Sequence, residues 1–146
     1  EPKSIVKKME KKKYDKTYLN LIEKINDIAG IRIVCTLKDD IFFIRDLVKQ
    51  MPDIHVLKEK DYVTNPKESG YSSYHMIVEV PVKLTQKTIY VKCEIQIRTL
   101  AMDFWASFEH KVKYKTKNDV NPKMSKELVS CAKMINKFDT KMINYK

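Results

Sequence analysis

Apolar and polar positions alternate without a break along Val91-Lys92-Cys93-Glu94-Ile95-Gln96-Ile97-Arg98. A period of two predicts a half-buried strand, with Val91, Cys93, Ile95 and Ile97 facing a core and Lys92, Glu94, Gln96 and Arg98 on the other face. Residues 74–82 read as a second strand, and a short turn near 84–87 makes 88–98 its hairpin neighbour. The β-branched run over 31–36 reads as a buried strand, and 54–58 as a short one. Helical spacing appears elsewhere. Tyr18, Leu21, Ile22 and Ile25 predict a helix over 17–26, which Gly30 interrupts. Residues 4–13 read as a basic helix with Ser4 as cap and Ile5 and Met9 on one side. Asp39 and Asp40 suit the cap of a helix that Pro52 ends, and 100–114 form another.

Asn121-Pro122 predicts the start of a last helix. Its apolar positions Met124, Leu128, Cys131, Ile135, Phe138 and Met142 step alternately by four and three, a heptad-like seam that packs on its own domain or on a second subunit. The order α-α-β-α-β-β-β-α-α is an α+β fold: a mixed β-sheet flanked by helices. Residues 1–115 are expected to be a catalytic domain, and 116–146 a C-terminal helix on that domain or at an oligomer interface.

Length and composition narrow this. The chain has 146 residues, enough for one domain with one core. Its formal charge of +10 favours an anionic partner: nucleotide, nucleic acid or acidic membrane. Cys35, Cys93 and Cys131 are odd in number and widely spaced, so buried reduced thiols in a cytoplasmic protein are expected rather than a disulfide framework or zinc site. With two glycines, the chain carries no Gly-rich phosphate loop. No apolar run is long enough to span a bilayer, and the first residue is not methionine, so upstream sequence is expected to have been removed.

Two carboxylates stand at points where chemistry is possible. Asp27 lies at a helix–strand junction and Glu94 on the polar face of its strand. If their strands are neighbours the two acids converge, and such a pair suits Mg²⁺. A plain loop aspartate and a cross-strand ion pair are the ordinary alternatives. Tyr71, after Gly70, is either a platform for a planar base or a turn tyrosine lying over the core; His75 at the next strand's start is either structural or catalytic.

Five stretches in order, Asp27-Ile28-Ala29-Gly30-Ile31-Arg32, Lys60-Asp61-Tyr62 with Asn65-Pro66-Lys67, Gly70-Tyr71 to His75, Glu94-Ile95-Gln96-Ile97-Arg98-Thr99 and Met102-Asp103-Phe104-Trp105-Ala106-Ser107, resemble the synthetase domain of the RelA/SpoT family. The pairing of the first with the last resembles its small alarmone synthetases. The resemblance implies a fold similar to nucleotidyltransferases, and transfer of pyrophosphate from ATP to the ribose 3′-hydroxyl of GTP or GDP, with GMP a further acceptor, giving (p)ppGpp and AMP in the stringent response. It implies that Asp27 and Glu94 bind Mg²⁺ and serve catalysis, that Tyr71 stacks guanine, that His75, Gln96 and Arg98 lie near the acceptor, and that Lys8 lies on the ATP side. Arg32, Lys60 and Lys67 are expected to supply positive charge.

It also implies a cytoplasmic homotetramer that carries synthetase activity alone. Two departures stand out. The family's turn Asn-Gly-Tyr-Arg-Ser-Leu-His has Ser72 in place of its arginine here, which is expected to alter contacts with the acceptor's 5′-phosphates. The family's Gly-Arg-x-Lys segment would fall before residue 1, so either no activity or weak use of ATP is expected of this chain. The competing reading is a catalytically inactive basic nucleotide- or nucleic-acid-binding module, but no nucleic-acid signature is present and neither nucleic acid nor membrane is expected as a partner.

Overall fold

A computed structural model describes residues 2–11, 13–17, 29–116 and 121–145. Its elements are α1 (Pro2–Lys11), β1 (Ala29–Cys35), α2 (Lys38–Gln50), β2 (His55–Asp61), β3 (Tyr74–Lys83), β4 (Thr88–Thr99), α3 (Leu100–Lys115) and α4 (Pro122–Ile143). The helix expected over 17–26, and Asp27 with it, falls almost wholly outside the described residues.

The four strands form one mixed sheet in the order β1-β4-β3-β2. β3 and β4 are the expected hairpin, closed by a 2.8 Å hydrogen bond from the Leu84 amide to the Lys87 carbonyl. β1 joins β4 in parallel, pairing Ala29 with Cys93 and Arg32 with Gln96. The alternation in β3 and β4 therefore has a structural consequence. Met76, Val78, Ile95 and Ile97 turn to one face and pack under Ile41 and Val48 of α2. Ile41, Met76, Val78 and Ile97 have no exposed surface, and burying each contributes about 1.5–3 kcal/mol. The opposite face carries the polar residues.

Several termini differ from expectation. Leu37 is the cap of α2, and its amide donates to Asp40 Oδ2 at 3.2 Å, so Asp40 closes the first turn from inside the helix. α1 begins at Pro2, which leaves Ser4 inside it rather than capping it. Gly30 lies within β1.

α4 corrects the seam. Leu128, Ala132 and Asp139 are its buried residues, with half-buried Ile135 between them, whereas Cys131, Phe138 and Met142 face solvent. Apolar spacing missed two polar and steric anchors. Trp105 Nε1 donates to the Leu128 carbonyl at 3.0 Å. Thr99, the cap of α3, donates to the buried Asp139 Oδ2 at 2.6 Å and accepts from the Met102 amide at 3.1 Å. Cys131 is thus exposed rather than buried; Cys93 is buried and Cys35 half-buried.

Candidate functional site

Period-two geometry puts Glu94, Gln96 and Arg98 on the polar face of β4. Gln96 sits between Arg32 on β1 and His75 on β3, and His75 lies opposite Lys60 on β2. Glu94 sits between Gly30 and Ile77, and Ile77 lies opposite Lys58. A register shift between Val56 and Lys58 is essential here. Val56 packs against the core; strict alternation would send Lys58 and Lys60 there too, and the extra residue turns them to the polar face.

Lys58, Lys60, Tyr62, Lys67, His75 and Glu94 line a cleft of about 280 Å³. Glu94 is fixed at both oxygens. Oε1 lies 3.0 Å from His75 Nδ1, and Oε2 accepts from Gln96 Nε2 at 3.1 Å. Tyr71 is brought in by the 62–73 loop. The Gly70 amide donates to the Lys67 carbonyl and the Lys67 amide to the Tyr71 carbonyl, at 2.8 and 3.0 Å. Gly70 has φ +88°, and a Cβ there would stand 2.3 Å from that of Ala132, so only glycine lets the loop lie this close to α4. Tyr71 Oη lies 2.9 Å from His75 Nε2, and Tyr62 packs edge-on against both rings. Lys67 Nζ lies 4.7 Å and 4.9 Å from the ring centres of Tyr62 and Tyr71.

Arg98 departs from the expected exposed face: it is 5% exposed and donates to Ser73, Asp103, Tyr71 and Gln96. Asp103 also holds Arg32 at 3.3 Å. Burial holds the pKa of His75 below the usual 6.5 even though Glu94 opposes it, and Arg98 and Lys67 push the same way as burial. The imidazole is therefore neutral near pH 7.

Glu94, His75, Gln96, Tyr71, Arg98, Lys60 and Lys67 thus come together, with Arg32 at the margin through Asp103. Lys8 lies in α1. The Ser72 hydroxyl donates to the Tyr62 carbonyl at 2.9 Å, and the residue lines a second cavity of about 210 Å³ beside Trp105 and Ala132 rather than the lysine cleft. Lys58, Tyr62, Ser73 and Asp103 were missed as site residues. The alternation of Lys58 with Lys60 was a usable signal; Tyr62, Ser73 and Asp103 fall within the family-like stretches, but nothing local points to their partners, which lie in other elements.

Among the described residues no cluster of three His, Cys, Asp or Glu side chains forms a ready metal site. One carboxylate at a lysine-lined cleft does fit a hard cation that takes the rest of its oxygens from water and phosphate.

Comparison with known proteins fits this arrangement. Residues 1–119 match the sequence family described as a region found in RelA/SpoT proteins. The chain is 47% identical over 143 residues to the GTP pyrophosphokinase YwaC of Bacillus subtilis, covering 98% of this chain and 68% of YwaC. The crystal structure of small alarmone synthetase 2 from Bacillus subtilis superposes with a TM-score of 0.89 at 45% identity, over 98% of this chain and 74% of that one. That of small alarmone synthetase 1 from the same organism, bound to its product pppGpp, gives 0.87 at 36% identity, over 99% and 73%.

Proposed function

This chain belongs to the RelA/SpoT family, and on that footing we propose that it is a GTP pyrophosphokinase, a transferase making (p)ppGpp and AMP from ATP and GTP or GDP. The observation that carries the reading is Glu94, held at both oxygens on the floor of a lysine-lined cleft beside Tyr71.

In the proposed reaction the acceptor's 3′ oxygen attacks the β-phosphorus of ATP. The bond from that phosphorus to the α–β bridging oxygen breaks, AMP leaves with the electron pair, and the 3′-hydroxyl proton passes to the Glu94 carboxylate. His75 and Gln96 keep that carboxylate oriented; each of its oxygens has a second lone pair for the incoming hydroxyl or a metal. Tyr71 offers a ring for the guanine to stack on, worth about 1–3 kcal/mol. Lys58, Lys60 and Lys67 are exposed and meet the polyphosphate. Glu94 and Asp27 would hold Mg²⁺, which supplies charge neutralisation on the transferring phosphates. Lys8 is assigned to the ATP side and Arg32 to the margin of the cleft.

Residues 1–115 are assigned as the catalytic domain, with α4 completing it and contributing to a homotetramer. A cytoplasmic location suits nucleotide substrates and three free thiols. The inactive binding module has no observation in its favour, since nothing in such a module calls for a doubly anchored carboxylate.

The test is incubation with ATP, Mg²⁺ and, separately, GTP, GDP and GMP, resolved by anion exchange. A new guanosine product with equimolar AMP is expected. Glu94→Gln should lower turnover by about a hundredfold or more while leaving the fold intact. No product with any acceptor, from this chain or from one extended upstream by the Gly-Arg-x-Lys segment, would overturn the reading.

A further inference from the structure

Arg98 stands apart from the other cations of the site. Lys58, Lys60 and Lys67 are exposed, whereas Arg98 is buried and its guanidinium is already engaged. Nε donates to Ser73 Oγ at 3.2 Å and Nη1 to Asp103 Oδ1 at 3.1 Å. Nη2 donates to Tyr71 Oη at 2.5 Å and to Gln96 Oε1 at 2.9 Å. Moving any of these donors to a phosphate would break a hydrogen bond that the buried guanidinium already makes within the protein.

Following the protons outward from Nη2 gives one consistent direction. Tyr71 Oη accepts from Arg98, so its own O–H is free to donate to His75 Nε2. A neutral imidazole that accepts at Nε2 carries its proton on Nδ1, and Nδ1 faces Glu94 Oε1 at 3.0 Å. The reverse tautomer would set a ring lone pair against a carboxylate lone pair. The second path is shorter: Gln96 accepts from Arg98 at Oε1 and donates from Nε2 to Glu94 Oε2. Two hydrogen-bond chains therefore leave one guanidinium and end on the two oxygens of one carboxylate, each bond polarising the next.

We propose that Arg98 is a positioning residue and not a phosphate ligand: through Tyr71 and His75 on one side, and Gln96 on the other, it orients Glu94, and the Tyr71 hydroxyl thereby has a role separate from its ring. The proposal rests on the pyrophosphokinase reading of the cleft. It assigns the exposed lysines to the nucleotide phosphates and the buried arginine to the carboxylate.

The test compares Arg98→Lys and Tyr71→Phe with the unaltered protein, using GTP, GDP and GMP as acceptors. Lysine keeps the charge but lacks the fork, and phenylalanine keeps the ring. Turnover is expected to fall about tenfold to a hundredfold in each, by the same factor for all three acceptors, with each acceptor's KM little changed. A loss in Arg98→Lys that grows with the number of acceptor 5′-phosphates would make Arg98 a phosphate ligand and overturn the proposal. Unchanged turnover in Tyr71→Phe would do the same, and that variant needs no buried charge to fold. One readout is independent of activity: ¹⁵N shifts of the His75 ring should show the Nδ1–H tautomer, mixed with the other in Tyr71→Phe. An Nε2–H tautomer in the unaltered protein would overturn the proposal even if it makes product, whereas absence of product alone bears on the pyrophosphokinase reading.

Discussion

pH acts on the cleft through His75. Its pKa lies below 6.5 because burial outweighs the help of Glu94, with Arg98 and Lys67 adding repulsion. A histidine with a depressed folded pKa contributes fully above its unfolded value and loses that contribution as pH falls through the folded one. The contribution of His75 to stability, and turnover with it, should therefore hold above about pH 6.5 and decline below it, as a second ring proton turns Nε2 into a donor facing Tyr71 Oη. An NMR titration of the His75 ring checks this, and its midpoint should move in known directions. Glu94→Gln removes the one group that favours the charged ring and lowers the midpoint; Lys67→Met removes a repulsion and raises it. A midpoint at or above 6.5 in the unaltered protein would refute the account. At this scale much was legible. Alternation alone puts Glu94, Gln96 and Arg98 on one face and His75 at the head of the neighbouring strand. The burial of Arg98 was not, because Ser73 and Asp103, which make it tolerable, lie in a loop and a helix whose approach no local pattern encodes.

Among the elements, the loop carrying Tyr71 depends on how closely it meets α4. Gly70 combines a left-handed φ of +88° with a Cβ position 2.3 Å from the Ala132 Cβ. Gly70→Ala must strain the backbone and push the loop off the helix, at a combined cost of about 2–4 kcal/mol. The push also displaces Tyr71, so turnover should fall further than the lost stability explains. Urea denaturation alongside kinetics separates the two. Adding Ala132→Gly should restore part of the activity by relieving the contact, though not the φ strain. A Gly70→Ala protein with normal stability and turnover would mean that the loop does not depend on this contact. The strands and helices that frame the loop followed from period and propensity. The packed face of α4 did not: counting apolar residues favours a seam through Cys131 and Phe138, while the helix is rotated by Ala132 under Gly70 and by Asp139 bonding to Thr99. The lysines of β2 needed a bulge that nothing in the local sequence announces.

At the scale of the molecule, two apolar stripes stay uncovered among the described residues. On α3, Leu100, Phe104 and Phe108 recur every fourth residue and are 63%, 70% and 50% exposed. On α4, Met134, Phe138 and Met142 do the same at 62%, 57% and 36%. Single exposed apolar residues are ordinary, but two helical stripes of large ones on a 146-residue chain suit the association surfaces that the proposed homotetramer needs. A dihedral tetramer requires two different self-complementary patches, each used about its own two-fold axis, and two stripes meet that count where one would give a dimer. The proposed homotetramer therefore makes a stepwise prediction. Phe138→Glu places a charge in one interface and should leave a dimer held by α3; Phe104→Glu should leave a dimer held by α4. The double variant should sediment as a monomer. Neither side chain supports the core, so circular dichroism should stay unchanged, and each substitution should alter folding stability by about 0.5 kcal/mol or less. Sedimentation velocity at micromolar concentration decides the matter: a monomer from the unaltered protein would remove the tetramer, and a tetramer that survives both substitutions would move its interfaces elsewhere.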